Sequence, residues 1–530
     1  MRTKLFTALM ATLVGVLSST DAVAQNGTNF SDVGTSVVEG SIGGFESAQV
    51  PSTYSDQAIS GSYDGVTDNP VYGYYSPQSN QGYYSTPAAP PAAAPKKSNP
   101  AVGAHNVLFY KNDFSYLTEG YTGPTYLGDG LKNLTLGNGK LDIGGQVRTR
   151  YHSEQGMAQT AGFTRFQDTD NQFGLFRARL YADWKATDRL RFYAEGIYAD
   201  TIDRDDQYIP RGIDRNYGDL LNLFADVKLT DSTTVRIGRQ ELLFGAQRTV
   251  SPLDWANTRR TFSGVRTMSK FNDWKIDAFY TQLVPAIRNE FDRPNEDVDF
   301  YGAYATYGGW EKDTLEMYYL GLNNDAGPGG TLSLDTFGTR LFGSRGDWSY
   351  EFEGAAQTGS QNARGQDHEA YFGTFGLGRK LSNVGWKPQL WFYYDIATGD
   401  QIETGGTFER NNQLFPLAHK YLGFVDAVTR NNISSPNVRL TMAPTDKLSF
   451  LIWYYNFQAV EANDPITSIG GTPAQDPASK DFGNELDFIA TYKINPRSSV
   501  LFGYSHLWAG DRIIGGEDAD FTYLQFTRNF

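Results

Sequence analysis

The sequence predicts an all-β protein: a single antiparallel up-and-down transmembrane β-barrel of about eighteen strands, preceded by a disordered tail. Three observations predict it. The chain begins with a secretory leader, stretches of about ten residues then alternate apolar and polar side chains, and short turns alternate with long polar loops. The composition agrees, because 56 glycines, 33 tyrosines and 34 phenylalanines in 530 residues favour strands over helices.

The leader occupies residues 1–24. Arg2 and Lys4 precede an apolar run over residues 5–17, and the small-residue triplet 22–24 is typical of a signal peptidase site. The run is too short to span a bilayer, so we interpret it as a cleaved signal peptide and not as a membrane anchor.

Two different segments lie between the leader and the predicted barrel. Residues 25–100 are rich in Gly, Ser, Tyr, Pro and Ala without a hydrophobic period, which predicts a low-complexity disordered tail. Residues 101–140 carry apolar and aromatic residues at irregular spacing among many glycines, which predicts an ordered segment ahead of the barrel.

The barrel is predicted over residues 141–530. In LDIGGQVRTRYH, for example, Ile143 and Val147 share one face of a strand, while Arg148 and Arg150 share the other. An even strand number lets both ends of such a barrel lie on the same side of the membrane. The same alternation predicts eighteen strands, at 141–152, 172–184, 189–199, 219–229, 233–241, 261–271, 274–284, 299–308, 313–322, 333–343, 347–358, 371–381, 387–398, 437–443, 447–458, 484–494, 498–508 and 520–530.

Arginines recur on the polar faces of these strands. A charged side chain on the lipid side near the midplane costs about 2–4 kcal/mol, so we expect the arginines to point into the barrel. The candidate pore-lining or substrate-binding residues are Arg148, Arg150, Arg177, Arg179, Arg191, Arg236, Arg239, Arg259, Arg260, Arg266, Arg439 and Lys493.

Two interpretations of these cations stay open. They could pair with acidic residues of neighbouring strands and only stiffen the wall, or they could form a positive track for an anionic solute. Rings of Arg or Lys select anions in pores, and the guanidinium fork matches a carboxylate. The acidic residues expected on the same inner face are Asp183, Glu195, Asp226, Glu351, Glu353 and Asp487.

Several classes of function are disfavoured. The net charge of −14 argues against a general nucleic-acid binder, and the absence of cysteine excludes disulfides and thiolate metal sites. The five histidines stand in no HExxH motif, and no GxSxG, Walker or GxGxxG motif occurs in a suitable context. We therefore predict no enzymatic activity, no catalytic residues, no metal site and no cofactor.

Three stretches resemble the alginate export family of outer-membrane barrels: residues 237–266, 414–433 and 483–513. The resemblance covers about the whole barrel. It implies an eighteen-strand monomer with an arginine-rich constriction that passively exports a polyuronate. By motif, it places Arg236, Arg239, Arg259, Arg260 and Arg266 in or near the pore wall, and His419, Lys420 and Arg430 in a folded-in loop.

The sequence thus predicts a channel of the cell outer membrane for passive passage of anionic solutes, such as an alginate-like acidic polysaccharide or a sugar acid. Its predicted partners are that solute, outer-membrane lipid and periplasmic export proteins, with no nucleic acid, and we expect a monomer. Two alternatives are a general porin with a charge-paired lumen and a plugged barrel that serves as a surface scaffold or adhesin.

Overall fold

The computed structural model describes most of the chain beyond residue 98. The predicted signal peptide, and the predicted tail as far as residue 98, lie outside the described residues. The described residues are 99–157, 166, 170–202, 208, 210–325, 331–361, 365–401, 406–417, 419–469 and 472–530.

The described chain is built from nineteen antiparallel strands. Two short 3-10 turns, Phe109–Lys111 and Asp129–Leu131, precede them, and no described helix is long and apolar enough to cross a membrane. The strands are β1 Leu134–Leu136, β2 Gly139–Gln155, β3 Asn171–Lys185, β4 Leu190–Ile202, β5 Asn216–Lys228, β6 Thr233–Gln240, β7 Thr261–Phe271, β8 Trp274–Val284, β9 Val298–Tyr307, β10 Asp313–Asn324, β11 Leu332–Arg345, β12 Trp348–Gln361, β13 Gln366–Lys380, β14 Gln389–Ala397, β15 Ile433–Met442, β16 Leu448–Gln458, β17 Asp481–Asn495, β18 Ser498–Ala509 and β19 Ala519–Asn529.

Strands β2 to β19 close into a barrel. Each pairs with its neighbours along the chain, and β19 returns to pair with β2 from Asp520↔Gln155 to Asn529↔Gln146. Closure leaves no free edge, which is what lets a β-sheet cross a bilayer. The predicted eighteen-strand barrel is confirmed; β1 is an additional short strand that forms a hairpin with the beginning of β2.

The predicted strand boundaries agree with the structure to within a few residues. The largest differences are at the beginnings of β13 and β15, which start at Gln366 and Ile433. In β15 the cause is Pro436, which lacks a backbone donor and so interrupts a strand pattern in sequence, although here it pairs with Tyr394 across the sheet.

The two ends of the barrel differ. Eight connections of two to eight residues, such as 229–232 and 496–497, lie at the end where β2 begins and β19 finishes. We call this the turn end. The opposite, loop end carries every connection longer than eight residues, among them 241–260, 398–432 and 459–480. The predicted alternation of short and long connections is therefore confirmed except at 325–331 and 362–365, which are short connections of the loop end.

Side chains alternate between the two faces of the wall, as the pleat requires. On β2 and β3, Arg148 and Arg177 are buried, whereas Tyr151 is 43 % exposed. The outer face carries large apolar residues that are half exposed, such as Leu223 and Phe392. An apolar outer face and a polar inner face are what a barrel in lipid requires.

The interior of the barrel is occupied by the chain itself. The inner loop, residues 241–260, contacts β2 through Arg148 and contacts β12 through Arg248, so it crosses from one wall to another. The described residues of the 398–432 segment also fold inward, because the Tyr421 hydroxyl donates to the Ala246 carbonyl oxygen and the Val425 amide donates to Glu485 of β17. A third element, the pre-barrel segment of residues 99–133, lies against the inner wall at the turn end.

Candidate functional site

The centre of the site is the Asp254 carboxylate of the inner loop. Arg177 of β3 donates to its Oδ1 at 2.8 Å, and the Nη1 of Arg179 lies 3.7 Å from the same oxygen. Arg259, from the far end of the inner loop, is ion-paired with it as well. All four side chains are buried, so the pairing takes place away from bulk water, where charge–charge interactions are strong.

Arginines of β2 and β3 also hold the backbone of the inner loop. Arg148 donates to the carbonyl oxygens of Asp254, Trp255 and Ala256 at 2.7, 2.9 and 3.0 Å. Arg150 donates to the Trp255 carbonyl at 2.8 Å, and its guanidinium lies 3.3 Å from the centre of the Trp255 ring. These bonds satisfy carbonyls that no strand partner could reach, and so they fix the loop inside the barrel.

Two glutamates complete this cluster. Arg179 donates to Glu195 of β4 at 2.7 Å, and Arg259 is paired with Glu241 at the start of the inner loop. Among the described residues, five guanidiniums thus share three carboxylates and a row of carbonyl oxygens. We call this set the arginine cluster: Arg148, Arg150, Arg177, Arg179 and Arg259, with Asp254, Glu195 and Glu241.

The arginine cluster depends on an unusual backbone. Gln247, Leu253 and Arg259 have φ values of 64°, 58° and 64°. These values lie in the left-handed region, which residues other than glycine rarely adopt. Such conformations persist only where the surroundings enforce them. Here the β2 and β3 arginines bind the carbonyls between these residues, so the wall and the loop determine each other's conformation.

Other predicted site residues form separate pairs. Arg236 donates to both oxygens of Asp226 at 2.7 and 2.9 Å, and Arg191 bridges Asp183 and Asp226. Arg266 donates to Asp277 at 2.7 Å. Each of these cations has a carboxylate partner on a neighbouring strand of the wall. This is the charge-paired arrangement that the sequence left open.

The remaining predicted residues lie apart from the arginine cluster. Arg239 lies at the loop end of β6, where it donates to Asp219 and to the Leu220 carbonyl. Arg260 donates to the Ser251 and Pro416 carbonyls, and Arg439 lies 5.0 Å from the Trp453 ring centre. Lys493 is at the turn end of β17, where its amide meets the 443–447 turn.

Sequence reasoning predicted two acids of a second buried charge network, Glu351 and Glu353, but missed its arginine on the wall, Arg340. Arg340 of β11 donates to Glu316 at 2.8 Å and to Glu351 at 2.7 Å, while Arg248 of the inner loop bonds Glu351 and Glu353. Arg340 stands on the polar face of a predicted strand, so the same alternation rule would have found it. The place of Arg248 follows only from the path of the inner loop.

Aromatic rings fill much of the remaining interior. Trp453 and Tyr455 stack with ring centres 5.2 Å apart, and Tyr455 stacks on Phe457 at 5.4 Å. His419 of the 398–432 segment stacks on Trp255 at 4.7 Å, and Arg430 of the same segment pairs with Asp395. No group of three or more His, Asp or Glu residues in the described ranges is arranged to hold a metal ion.

The loop over residues 285–297 carries a pH-sensitive anchor. Asn216 donates to the Asp292 carboxyl at 2.7 Å, and the Ile287 amide does the same. Burial, assisted by the nearby Asp219 carboxylate, raises the pKa of Asp292 from 3.8 to about 7. A raised folded-state pKa means that the fold favours the protonated acid.

We therefore expect the anchor to stabilise the barrel fully below about pH 4, and to weaken as the pH rises through about 7. Urea unfolding midpoints measured from pH 4 to pH 8 should fall with pH. In Asp292→Asn, which stays neutral, the fall should be smaller. An equal fall in wild type and variant would contradict this assignment.

The chain was compared with known proteins. The family model described as "Alginate export" matches residues 140–526, and no curated protein sequence matches. Among solved structures, the chain is similar to the outer membrane protein OpdK of Pseudomonas aeruginosa, with 14% identity, 73% of this chain and 98% of that chain covered, and a TM-score of 0.52.

Two further barrels of Pseudomonas aeruginosa are comparably similar. OprD shares 13% identity over 73% of this chain and 94% of its own, with a TM-score of 0.50. OccK2 (OpdF), solved in complex with glucuronate, shares 14% identity over 74% of this chain and 96% of its own, with a TM-score of 0.51. At such low identity these three structures support the barrel fold alone.

The family is described by export, and the fold is that of outer-membrane barrels. The family match spans strands β2 to β19, which are the strands that close the barrel. The chain therefore belongs to the alginate export family and is a β-barrel channel protein of the outer membrane.

Proposed function

We propose that this channel passes anionic solutes through the outer membrane, and that its solute is an acidic polysaccharide or a sugar acid. One observation carries the proposal: the arginine cluster holds a carboxylate, that of Asp254, through Arg177, Arg179 and Arg259. A solute carboxylate has the same charge and shape, and guanidinium forks bind both alike.

In the proposed mechanism, solute carboxylates replace the inner loop as the partners of the wall arginines. Asp254 and the carbonyls around it belong to a loop and not to the wall, so movement of the inner loop would free Arg148, Arg150 and Arg177 on β2 and β3. Successive solute carboxylates would then bind to the wall arginines in place of the loop. Several moderate sites, and not one tight one, allow a charged chain to enter and to leave.

Two features of related proteins support a carboxylate as the solute group. The family is described by export of alginate, and two of the similar barrels were solved with vanillate and with glucuronate. All three compounds carry carboxylates. Periplasmic proteins that deliver the solute, and a monomeric channel, are part of the same proposal.

A general porin with a charge-paired lumen is the second candidate. The pairs Arg236–Asp226, Arg191–Asp183 and Arg266–Asp277 favour it, because each cation is neutralised on the wall itself. The third candidate, a plugged scaffold barrel, is favoured by the inner loop and the pre-barrel segment inside the barrel.

The reversal potential of the full chain in a planar bilayer under a KCl gradient tests the proposal. We expect anion selectivity that falls several-fold in Arg148→Gln, because this arginine carries its charge on the inner wall. Arg379→Gln, which removes the same charge from the exposed turn end of β13, is the matched control and should leave selectivity unchanged.

The alternatives predict other results. A non-selective or cation-selective wild type would favour the charge-paired porin. A barrel without conductance in wild type and variants would favour the plugged scaffold.

A further inference from the structure

Three aromatic rings form a continuous surface on the inner wall at the turn end. Tyr181 of β3 and Tyr193 of β4 stack with ring centres 5.8 Å apart and planes 18° apart. Tyr193 in turn stacks on Phe224 of β5 at 5.0 Å and 16°. We call these three residues the aromatic platform; all three are buried.

Charged groups surround the aromatic platform. The Arg236 guanidinium lies 3.6 Å from the Phe224 ring centre, and that of Arg191 lies 5.8 Å from the Tyr193 ring centre. Glu195 accepts a hydrogen bond from the Tyr193 hydroxyl and another from Arg179. Asp183 and Asp226 neutralise part of the charge of Arg191 and Arg236.

The pre-barrel segment covers this surface with its own aromatic rings. Phe109 lies 5.6 Å from Tyr181, and Tyr110 meets Phe224 edge-on at 5.3 Å. Arginines of the wall lie over the two incoming rings, with Arg179 3.8 Å from Phe109 and Arg236 4.3 Å from Tyr110. Phe109 and Tyr110 thus lie between wall arginines and wall aromatics.

Backbone oxygens of the same segment satisfy the arginines. Arg191 donates to the Tyr110 carbonyl at 2.6 Å, and Arg259 of the arginine cluster donates to the Val107 carbonyl at 3.2 Å. The Tyr110 hydroxyl donates to the Glu241 carbonyl of the inner loop. The segment therefore presents aromatic C–H edges to the aromatic platform and oxygen acceptors to the guanidiniums.

A sugar acid offers the same two features. Its ring has an apolar C–H face that can lie on aromatic rings, and its carboxylate and hydroxyls accept hydrogen bonds from arginine. We propose that the aromatic platform, with Arg179, Arg191 and Arg236, is a sugar-acid site at the turn-end mouth, and that residues 107–111 occupy it in the closed channel. This inference rests on the proposed function and adds a site and its internal occupant.

The occupant can leave without damage to the barrel. Residues 107–111 contribute only a three-residue 3-10 turn, and the first described strand begins at Leu134. No ladder bond between barrel strands passes through them. Their displacement costs the stacking and arginine contacts above, which a bound sugar acid would replace.

Thiol labelling of the full chain in detergent tests the site. The sequence contains no cysteine, so Leu108→Cys introduces a single thiol next to Phe109, at a position that is 2 % exposed. We expect slow reaction with a water-soluble maleimide, and a rise of at least about tenfold with saturating sodium glucuronate, because the ligand shifts the population toward the open site. Glucose, and sodium chloride at matched ionic strength, should leave the rate unchanged.

Val102→Cys is the matched control. Val102 belongs to the same segment but is 64 % exposed, so its labelling should be fast under all conditions. If Leu108→Cys does not fold, Asn112→Cys, beside the Tyr181 hydroxyl, reports on the same movement. Equal labelling rates with glucuronate, glucose and chloride would overturn the site.

The labelling result is separable from the channel measurement. Anion selectivity without a glucuronate effect on labelling would support the proposed function and contradict the site at the turn-end mouth. A glucuronate effect on labelling in a barrel without anion selectivity would support the site and contradict the proposed passage of anionic solutes.

Discussion

Asp254→Asn is expected to make the channel more anion-selective and to loosen the inner loop. The substitution keeps the shape of the side chain but removes the negative charge that Arg177, Arg179 and Arg259 share. Removing one partner from a buried ion pair typically costs about 3–5 kcal/mol, because the remaining charges are left without compensation. That loss should release the loop from the wall and expose arginines to the solute.

The reversal potential measures this effect. Under a KCl gradient it should move toward the chloride equilibrium potential, with a larger conductance than in wild type. Asp231→Asn makes the same chemical change on an exposed turn, where Asp231 pairs with Lys228 at the surface. That control should behave as wild type. A variant with unchanged selectivity and conductance would mean that Asp254 does not restrict the anion route.

Arg340→Met is expected to destabilise the barrel by about 3–5 kcal/mol. Arg340 bonds Glu316 and Glu351, and all three side chains are almost completely buried. Methionine fills a similar volume but removes the cation that joins those carboxylates, and leaves Glu351 to Arg248 and Glu316 to the Tyr304 hydroxyl. Leaving a buried charge without its partner is among the single substitutions that lower the free energy of unfolding most.

Urea unfolding of the barrel in detergent gives the measurement. Arg345→Met is the control on the same strand, because Arg345 pairs with Asp313 at the turn end and is half exposed. Exposed ion pairs contribute little to stability because solvent screens them, so its midpoint should barely move. Equal losses in the two variants would show that the Arg340 network contributes no more than a surface ion pair.

The inward arginines have two kinds of partner, in different parts of the barrel. Arg191, Arg236 and Arg266 pair with carboxylates on the wall, as expected of a stiffening ladder. On β2 and β3, however, Arg148 and Arg177 turn toward loop carbonyls and the Asp254 carboxylate. Whether an inward arginine pairs on the wall or with a loop depends on which chain segment lies opposite it. Strand periodicity does not predict which segment that is.

The pre-barrel segment is the clearest case of what periodicity misses. Residues 101–140 have no repeating pattern, so the sequence predicted only that the segment is ordered. Its position is set by Phe109 and Tyr110, whose partners Tyr181, Tyr193 and Phe224 lie far away in sequence. The only local signal was the aromatic pair itself, which is equally compatible with many other partners.

The amino-acid sequence by itself determined the wall of this protein. Period-two alternation, the cost of charge in lipid and the sequence of short and long connections were enough to predict eighteen strands and their inner and outer faces, because these are local properties repeated along the chain. The tertiary structure alone decided which segments fill the interior of the barrel. The inner loop, the 398–432 segment and the pre-barrel segment are placed by contacts between residues distant in sequence, such as Arg148 with Trp255 and Arg191 with Tyr110. Pairing of this kind depends on which groups closure of the barrel brings together.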